Sequence, residues 1–274
     1  MSGIIEVENL SFGYTPEAAI LKDMSFSITR GTFVAIAGPN GAGKSTLLNL
    51  ICRALRPDSG TIRIDAAAIE SYSTRALAAK VAVVRQELVP IFGFSVMETV
   101  LMARTPYYDS MGFESRADRE IANDALKATD TARFACRPLT SLSSGERQRV
   151  FIARALAQNS LIMLLDEPTT FLDLKHQVGI YDLLKAAQVE KGKTIVAVTH
   201  DISLASQYCD EILLIGAGGA YHIGKTKAVL CPEKIKEVFD VDVFAGRIGE
   251  ENFFIPLGKL AKNGRKTNKE LGSI

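Results

Sequence analysis

The sequence lacks a long hydrophobic run and a leader segment. No stretch of its 274 residues approaches the roughly 18 consecutive apolar residues of a membrane-spanning helix, so we expect none. The first ten residues carry two glutamates and do not show the basic-then-apolar order of a secretory signal. We therefore expect neither a membrane span nor a secretory signal in this sequence.

Cysteine, histidine and net charge are also scarce. The 4 cysteines contain no C-x-x-C pair, which predicts buried thiols in a reducing compartment and not disulfides or a metal site. The 3 histidines form no cluster in the sequence. A net charge of +1 gives no bulk attraction to nucleic acid or anionic lipid, so we expect no nucleic-acid partner. The hydrophobic content of 47% is that of a soluble globular protein with one large or two modest domains.

One stretch fits the phosphate-binding pattern G-x-x-x-x-G-K-[ST]. The apolar run 32–37 before it predicts a buried strand, and the leucine-rich run 46–55 after it predicts a helix. A glycine-rich turn of an ordinary α/β domain is the alternative, and this strand–loop–helix context disfavours it. Glycines bring backbone N–H groups close to phosphate oxygens, beside the positive end of the helix dipole. The residues predicted to form this phosphate-binding loop are Gly38, Pro39, Asn40, Gly41, Ala42, Gly43, Lys44, Ser45 and Thr46.

Strand and helix patterns alternate along the chain, which predicts a sheet flanked by helices. Between about residues 90 and 145 the residues suit helices, at 96–104 and 115–129, so we predict a helical subdomain inserted into the sheet domain. Strands are predicted at 4–10, 24–28, 32–37, 61–64, 81–84, 161–165, 194–198 and 211–215, and a turn at 11–16.

The secondary-structure patterns are clear up to about residue 230 and weaker beyond it. Residues 1–230 are predicted to form a nucleotide-binding domain, and residues 231–274 a C-terminal extension. In the extension we expect a helix at 232–239, short strands or loop to 257, and a basic tail. A solvated tail is favoured over contact with a membrane surface.

Polar side chains that could act on a phosphate stand at the ends of predicted strands. Asp166 ends an all-apolar strand, where its carboxylate can hold Mg²⁺, and Glu167 is a second carboxylate able to act as general base. Gln86 and His200 also end strands; an amide can touch both metal and water, and an imidazole can bind a γ-phosphate. Tyr14 precedes the loop, where it either stacks on a base or packs in the core.

Leu142-Ser143-Ser144-Gly145-Glu146 resembles the signature motif of ABC-type (ATP-binding cassette) ATPases, usually L-S-G-G-Q. The other elements resemble that family in order, with Leu172-Asp173 matching its D-loop and His200 its switch histidine. Ser144 and Glu146 depart from the usual signature. Phe171 is unusual at a position that is commonly small.

The resemblance implies an α/β fold: a P-loop NTPase, ABC-type ATPase domain with a mixed sheet core, an antiparallel β subdomain and the inserted α-helical subdomain. It also implies ATP and Mg²⁺ as cofactors and residue roles in four groups. The catalytic residues are Glu167, His200, Gln86 and Lys44. Metal contacts are Ser45, Gln86 and Asp166. The ATP contacts are the loop residues with Tyr14 and Asp173; Ser143, Gly145 and Glu146 reach the ATP of a second copy.

The implied partners are a second nucleotide-binding domain in a homodimer or pair, transmembrane permease subunits, and an extracytoplasmic substrate-binding protein. The chain would lie peripherally on the cytoplasmic face of the cell membrane. Residues 95–100 and 104–107 resemble the uptake ATPases for iron-siderophore, haem or cobalamin. Import of another cargo such as molybdate or a metal ion stays open, as does a soluble, non-transport ABC ATPase.

Overall fold

A computed structural model of the protein describes residues 3–15, 18–86, 93–108, 112–170, 172–249 and 251–258. In these ranges the elements follow one another as β1 Ile5–Thr15, β2 Ala18–Ile28, β3 Phe33–Ala37, α1 Lys44–Ile51, β4 Ser59–Ile64, β5 Ala67–Ala68, α2 Thr74–Lys80, β6 Val81–Val84, α3 Val96–Leu101, α4 Arg116–Ala128, α5 Ser144–Ala157, β7 Ile162–Asp166, α6 Leu174–Lys191, β8 Thr194–Val198, α7 Ile202–Tyr208, β9 Glu211–Ile215, β10 Tyr221–Lys225, α8 Thr226–Val229, α9 Pro232–Phe239, β11 Asp242–Ile248 and β12 Glu251–Leu257.

The central sheet has the strand order β10-β9-β3-β8-β7-β6. Its strands run parallel except for β10, which pairs antiparallel with β9. Every residue of β3 and β8 is buried, as expected for mostly apolar strands of a parallel sheet whose two faces are both covered. The carboxyl ends of β3, β6, β7 and β8 therefore meet at one edge of the sheet, and the segments that follow them come together there.

A second, antiparallel sheet has the order β2-β1-β4-β5. The turn predicted at 11–16 is wrong for residues 11–15, because β1 continues to Thr15. Phe12 still pairs with Leu21 and Thr15 with Ala18, through register shifts that begin after Val7. The positive φ of +50° at Asn9 lets the strand bend there without ending. The mixed core sheet and the antiparallel subdomain were predicted, and both are present.

The helices between β6 and β7 include α3 and α4, whose inner faces join the buried cluster around α5. Both begin at capping boxes, Ser95 with Glu98 and Ser115 with Asp118. The helix predicted at 96–104 is α-helical only to Leu101, and Met102–Tyr107 is a 3₁₀ helix. Proline disfavours the α conformation at the residue before it, which accounts for the tighter turn around Pro106.

The C-terminal elements pack on the core and not away from it. In the hairpin β11–β12, β12 contacts α7 and β11 contacts the helix α9. Ile235, Val238 and Phe254 belong to the same buried cluster as the central sheet. The region up to residue 257, for which short strands or loop are predicted, forms this hairpin. The basic tail from residue 259 lies outside the described residues. Among the helices that the structure describes, none combines the length and the apolar character needed to cross a bilayer.

Candidate functional site

The glycine-rich loop lies between the buried strand β3 and the helix α1. Gly43 has φ +95°, and a Cβ there would lie 2.7 Å from carbons of Ile20 and Leu21. Gly38 is equally restricted by contact, since a Cβ would lie 2.1 Å from the Ile215 carbonyl oxygen. The loop therefore needs glycine for its conformation and for its close packing on neighbouring strands.

The Lys44 side chain is folded into this loop. Its Nζ donates to the carbonyl oxygens of Gly38 and Pro39, both at 2.9 Å, and the residue is only 6% exposed. Burial lowers the pKa of Lys44, and the carboxylates of Glu167 and Asp166 act in the opposite direction. A buried ammonium with two neutral acceptors can exchange them for phosphate oxygens, which compensate its charge better.

Ser45 and Asp166 face each other across the loop and the end of β7. The Ser45 hydroxyl donates to Asp166 Oδ1 at 3.0 Å. Burial raises the pKa of Asp166, the bond from Ser45 lowers it, and Glu167 raises it again. In the described ranges no group of three or more His, Cys, Asp or Glu could hold a metal ion by itself. A hydroxyl and a carboxylate fit Mg²⁺, which keeps waters and takes phosphate oxygens as its other ligands.

The Glu167 carboxylate is the meeting point of three segments. Gln86 Nε2 donates to Oε2 at 2.7 Å, and His200 Nε2 lies 2.5 Å from Oε1. Glu167 itself has φ +49°, in the left-handed region that favours glycine, and its N–H donates to the Val198 carbonyl oxygen at 3.2 Å. Backbone strain of this kind costs about 1–3 kcal/mol and commonly marks a functional position.

Tyr14 lies on the surface next to the loop. Its ring is 62% exposed and its hydroxyl is 3.2 Å from the Thr46 hydroxyl, which rules out the core alternative. Phe12 meets it edge-on with ring centroids 5.1 Å apart. One face of the ring is therefore available for a planar ligand beside the phosphate loop.

The remaining predicted ATP contacts lie elsewhere on the chain. Ser143 is the N-cap of α5, where Glu146 accepts both its N–H at 2.8 Å and its hydroxyl at 2.9 Å; Gly145 lies in the same first turn. Asp173 is the N-cap of α6 and accepts from the backbone and the ring of His176. No hydrogen bond or ion pair between described residues joins Ser143 or Asp173 to the phosphate loop.

Sequence reasoning missed two features of this site. Thr170 donates its hydroxyl to Glu167 Oε2 at 3.0 Å, and a Thr-Thr pair in a loop gives no signal for such a contact. The capping box of α5 was also missed, although the sequence carries a signal for it: Ser143 is followed three residues later by Glu146, which is the S-x-x-E pattern. Hydrogen bonds from Ser143 hold the pKa of Glu146 below its ordinary value, so this helix start carries a negative charge.

A glycine-rich loop between a buried strand and a helix, facing a carboxylate at the end of another strand of the same sheet, defines a P-loop nucleotide-binding protein. Comparison with known sequences makes the class specific. The chain belongs to the ABC transporter family, whose model matches residues 21–170. The family predicted from the ordered motifs is thereby confirmed.

Relatives of this chain include import proteins. It is 38% identical over 227 residues to the cobalamin import ATP-binding protein BtuD of Halobacterium salinarum, a match that covers 83% of this chain and 56% of that protein. The chain thus spans little more than half of that relative's length. It is 36% identical over 269 residues to the petrobactin import ATP-binding protein FpuC of Bacillus anthracis, with 97% and 98% covered.

Solved structures share the fold. An ABC transporter of the metal-chelate type in an inward-facing conformation has a chain that matches with a TM-score of 0.81 at 31% identity, covering 94% of this chain and 98% of that one. The ATP-binding cassette MJ0796, in a dimeric post-hydrolysis state bound to ADP and Pi, matches with a TM-score of 0.73 at 33% identity, covering 81% and 98%. These matches confirm the predicted fold class.

Proposed function

We propose that this chain is the ATP-hydrolysing subunit of a membrane importer. The observation that carries the proposal is the Glu167 carboxylate, which lies between Gln86 and His200. The preceding residue, Asp166, accepts a hydrogen bond from Ser45 of the phosphate loop. A general base must lie within hydrogen-bond reach of the water it activates, at the site where the phosphate is bound. These contacts bring the proposed base to the proposed phosphate site.

The residues have separate roles in this proposal. The loop amides and Lys44 bind the phosphates, while the ring of Tyr14 stacks on the adenine ring of ATP. Ser45, Asp166 and the Gln86 amide would hold Mg²⁺, which when bound neutralises charge on the phosphates. Glu167 takes a proton from the attacking water, and His200 orients the γ-phosphate and the water.

A second copy completes the site. Ser143 and Gly145 at the start of α5 offer backbone donors and a positive helix end. Among the described residues of one chain, no hydrogen bond or ion pair joins them to the loop. In a head-to-tail dimer they would cover the ATP of the partner, with Glu146 and Asp173 also at the interface. The dimeric state of the related cassette bound to ADP and Pi supports this arrangement.

The surface proposed for the membrane permease lies between α2, Met102–Tyr107 and α5. An open cavity of about 690 Å³ there is lined by Arg75, Arg154 and Met102, among others, and none of its described lining residues is acidic. Arg75 is held by the backbone oxygens of Pro106 and Tyr108, whereas Arg154 has no hydrogen-bond or ion-pair partner among the described residues. A permease segment that carries a carboxylate next to apolar side chains would complement this surface.

The cargo proposed is a metal chelate of the siderophore, haem or cobalamin kind, delivered by an extracytoplasmic binding protein. The names of the relatives, cobalamin and petrobactin import proteins, support this class. Import of another cargo such as molybdate or a metal ion is the alternative within the same mechanism. The chain would then lie on the cytoplasmic face of the membrane, bound to the permease and not inserted.

Glu167→Gln tests the base directly. We expect the purified complex to keep ATP binding and to lose turnover by roughly a hundredfold, the scale for a positioned general base. Glu190→Gln, an exposed carboxylate on α6, is the matched control and should leave turnover unchanged. Undiminished hydrolysis by Glu167→Gln would remove the proposed role.

Two further variants separate binding from cross-subunit contact. Lys44→Ala should abolish nucleotide affinity, measured by equilibrium titration with a labelled ATP analogue. Ser143→Ala should keep affinity in the monomer and impair hydrolysis by the dimer. Equal loss of affinity in both variants would contradict the assignment of Ser143 to the partner's ATP.

Co-purification tests the permease surface. A tag on this chain should recover a membrane subunit, and Arg154→Gln should weaken that recovery while Arg133→Gln does not. Arg133 is a suitable control because it is exposed and its carboxylate partner Asp130 is 3.6 Å away. Recovery of cytosolic or nucleic-acid partners alone would overturn the importer assignment.

A further inference from the structure

The Thr170 hydroxyl makes a contact that the roles above do not use. It donates to Glu167 Oε2 at 3.0 Å, the same oxygen that accepts Gln86 Nε2 at 2.7 Å. The Thr170 N–H also donates to the Glu167 carbonyl oxygen at 3.2 Å. Thr170 therefore folds back on Glu167 through both its backbone and its side chain.

The donors around Glu167 differ in how firmly they are tied to it. Gln86 and His200 come from distant points of the chain, and the His200 side chain is 45% exposed. Thr170 belongs to the same turn as Glu167, and the branched Thr side chain has few χ1 rotamers. A hydroxyl fixed by the local backbone holds its acceptor more constantly than a long or exposed side chain from another element.

A general base must present one carboxylate oxygen in a constant direction. The unbranched Glu167 side chain has several rotamers, and a misplacement of about 1 Å can cost about a hundredfold in rate. In the proposed reaction Gln86 turns to the metal and the water, and the bond from Gln86 to Oε2 is then lost. Thr170 is the donor that remains on that oxygen.

We propose that Thr170 is a positioning residue for ATP hydrolysis: its hydroxyl fixes the Glu167 carboxylate through Oε2 while Gln86 engages the nucleotide. This inference rests on the proposed function. It also gives the segment 167–170 a defined task, because the orientation of the base then depends on the turn that begins at Glu167. Any shift of that turn at the dimer interface would move the base.

Two substitutions separate the hydroxyl from the shape of the side chain. Thr170→Val keeps the branched volume and removes the donor, whereas Thr170→Ser keeps the donor. In the purified transporter complex, Thr170→Val should lower kcat for ATP about tenfold, the scale for losing one hydrogen bond to a charged group, with KM and ATP affinity unchanged. Thr170→Ser should retain kcat within about twofold of wild type.

Melting temperature checks that the variants fold, and Thr170→Ala gives the same comparison if the valine is not tolerated. A kcat for Thr170→Val within about twofold of wild type would overturn the inference. So would an equal fall in Thr170→Val and Thr170→Ser, which would assign the effect to shape. A complex whose wild type never hydrolyses ATP would overturn the proposed function and this inference with it, whereas an active Thr170→Val overturns the inference alone.

Discussion

Arg104 and Asp118 form a buried ion pair, and its removal is expected to destabilise the helical subdomain. Arg104 Nε donates to Asp118 Oδ1 at 2.8 Å, with both side chains 8% exposed. Arg104 Nη1 donates to the Ala157 carbonyl oxygen at 2.9 Å, and its guanidinium carbon lies 4.1 Å from the Tyr107 ring centroid. One side chain thus joins Met102–Tyr107, the start of α4 and the end of α5.

The size of the effect follows from what each substitution leaves behind. Arg104→Met removes the counter-charge but leaves the Asp118 carboxylate buried, and among the described residues its remaining donors are the N–H and hydroxyl of Ser115. Removing one member of a buried pair costs about 3–5 kcal/mol, whereas apolar replacement of both is often close to neutral. The double variant Arg104→Met, Asp118→Leu should therefore recover at least half of the loss.

Urea unfolding of wild type, both single variants and the double variant measures the coupling energy of the pair. Arg133→Met is the control, because its partner Asp130 is exposed and 3.6 Å away, and it should cost at most about 1 kcal/mol. Single variants that each cost less than about 1 kcal/mol, or a double variant equal to their sum, would refute the reasoning.

The same pair predicts a dependence on pH. Burial raises the pKa of Asp118, but hydrogen bonds from Ser115 and Arg104 outweigh it and leave that pKa below its ordinary value. A carboxyl with a lowered folded pKa stabilises fully above its unfolded pKa of about 3.9, and this contribution is lost as pH falls through the folded pKa. The double variant should therefore lose less stability than wild type in acid.

Three further predictions concern the loop, the start of α5 and a buried lysine. Gly43→Ala should lower the melting temperature more than Gly41→Ala, because both have positive φ but only Gly43 lacks room for a Cβ; equal shifts would contradict this. Glu146→Gln removes a negative charge beside the proposed γ-phosphate, and the repulsion between two unit charges about 5 Å apart in water is about 1 kcal/mol. Dimerisation with a non-hydrolysable ATP analogue, measured by sedimentation, should therefore strengthen about fivefold, and a weaker dimer would count against this. Burial lowers the pKa of Lys193 to about 8, so its native form binds fewer protons than the unfolded form between about pH 8 and about pH 10.4. Stability of wild type relative to Lys193→Met, from urea midpoints, should rise with pH in that window, and a constant difference would be inconsistent with it.

The sequence predicts the elements that position the site because their patterns are locally determined. An apolar strand that ends in Asp166 and Glu167 must lie in a parallel sheet, and its carboxyl end must meet the loop after β3. The same argument brings Gln86 and His200 to that edge, and the structure places them on Glu167. The catalytic roles of these residues stay predictions until the variants are measured.

Features set by contacts between distant segments were not predictable. The extension of β1 to Thr15 depends on register shifts against β2, which no local pattern encodes. The strand β10 and the hairpin β11–β12 are stabilised by β9 and α7, so their own residues gave only a weak signal. The Thr170 contact requires the left-handed backbone of Glu167, an uncommon conformation for that residue type.

The start of α5 explains why a single chain would hydrolyse ATP poorly. Its Ser143 donors are exposed and already satisfied by Glu146, so an isolated chain gains nothing by moving them. A γ-phosphate from another copy must displace a carboxylate from those donors, and the exchange is favourable because the phosphate carries more charge and more acceptor oxygens. The proposed dimer therefore forms on ATP and weakens once the γ-phosphate leaves. The Glu146 carboxylate can then bind the Ser143 donors again, which favours opening of the interface. A neutral glutamine at this position would compete for those donors less strongly.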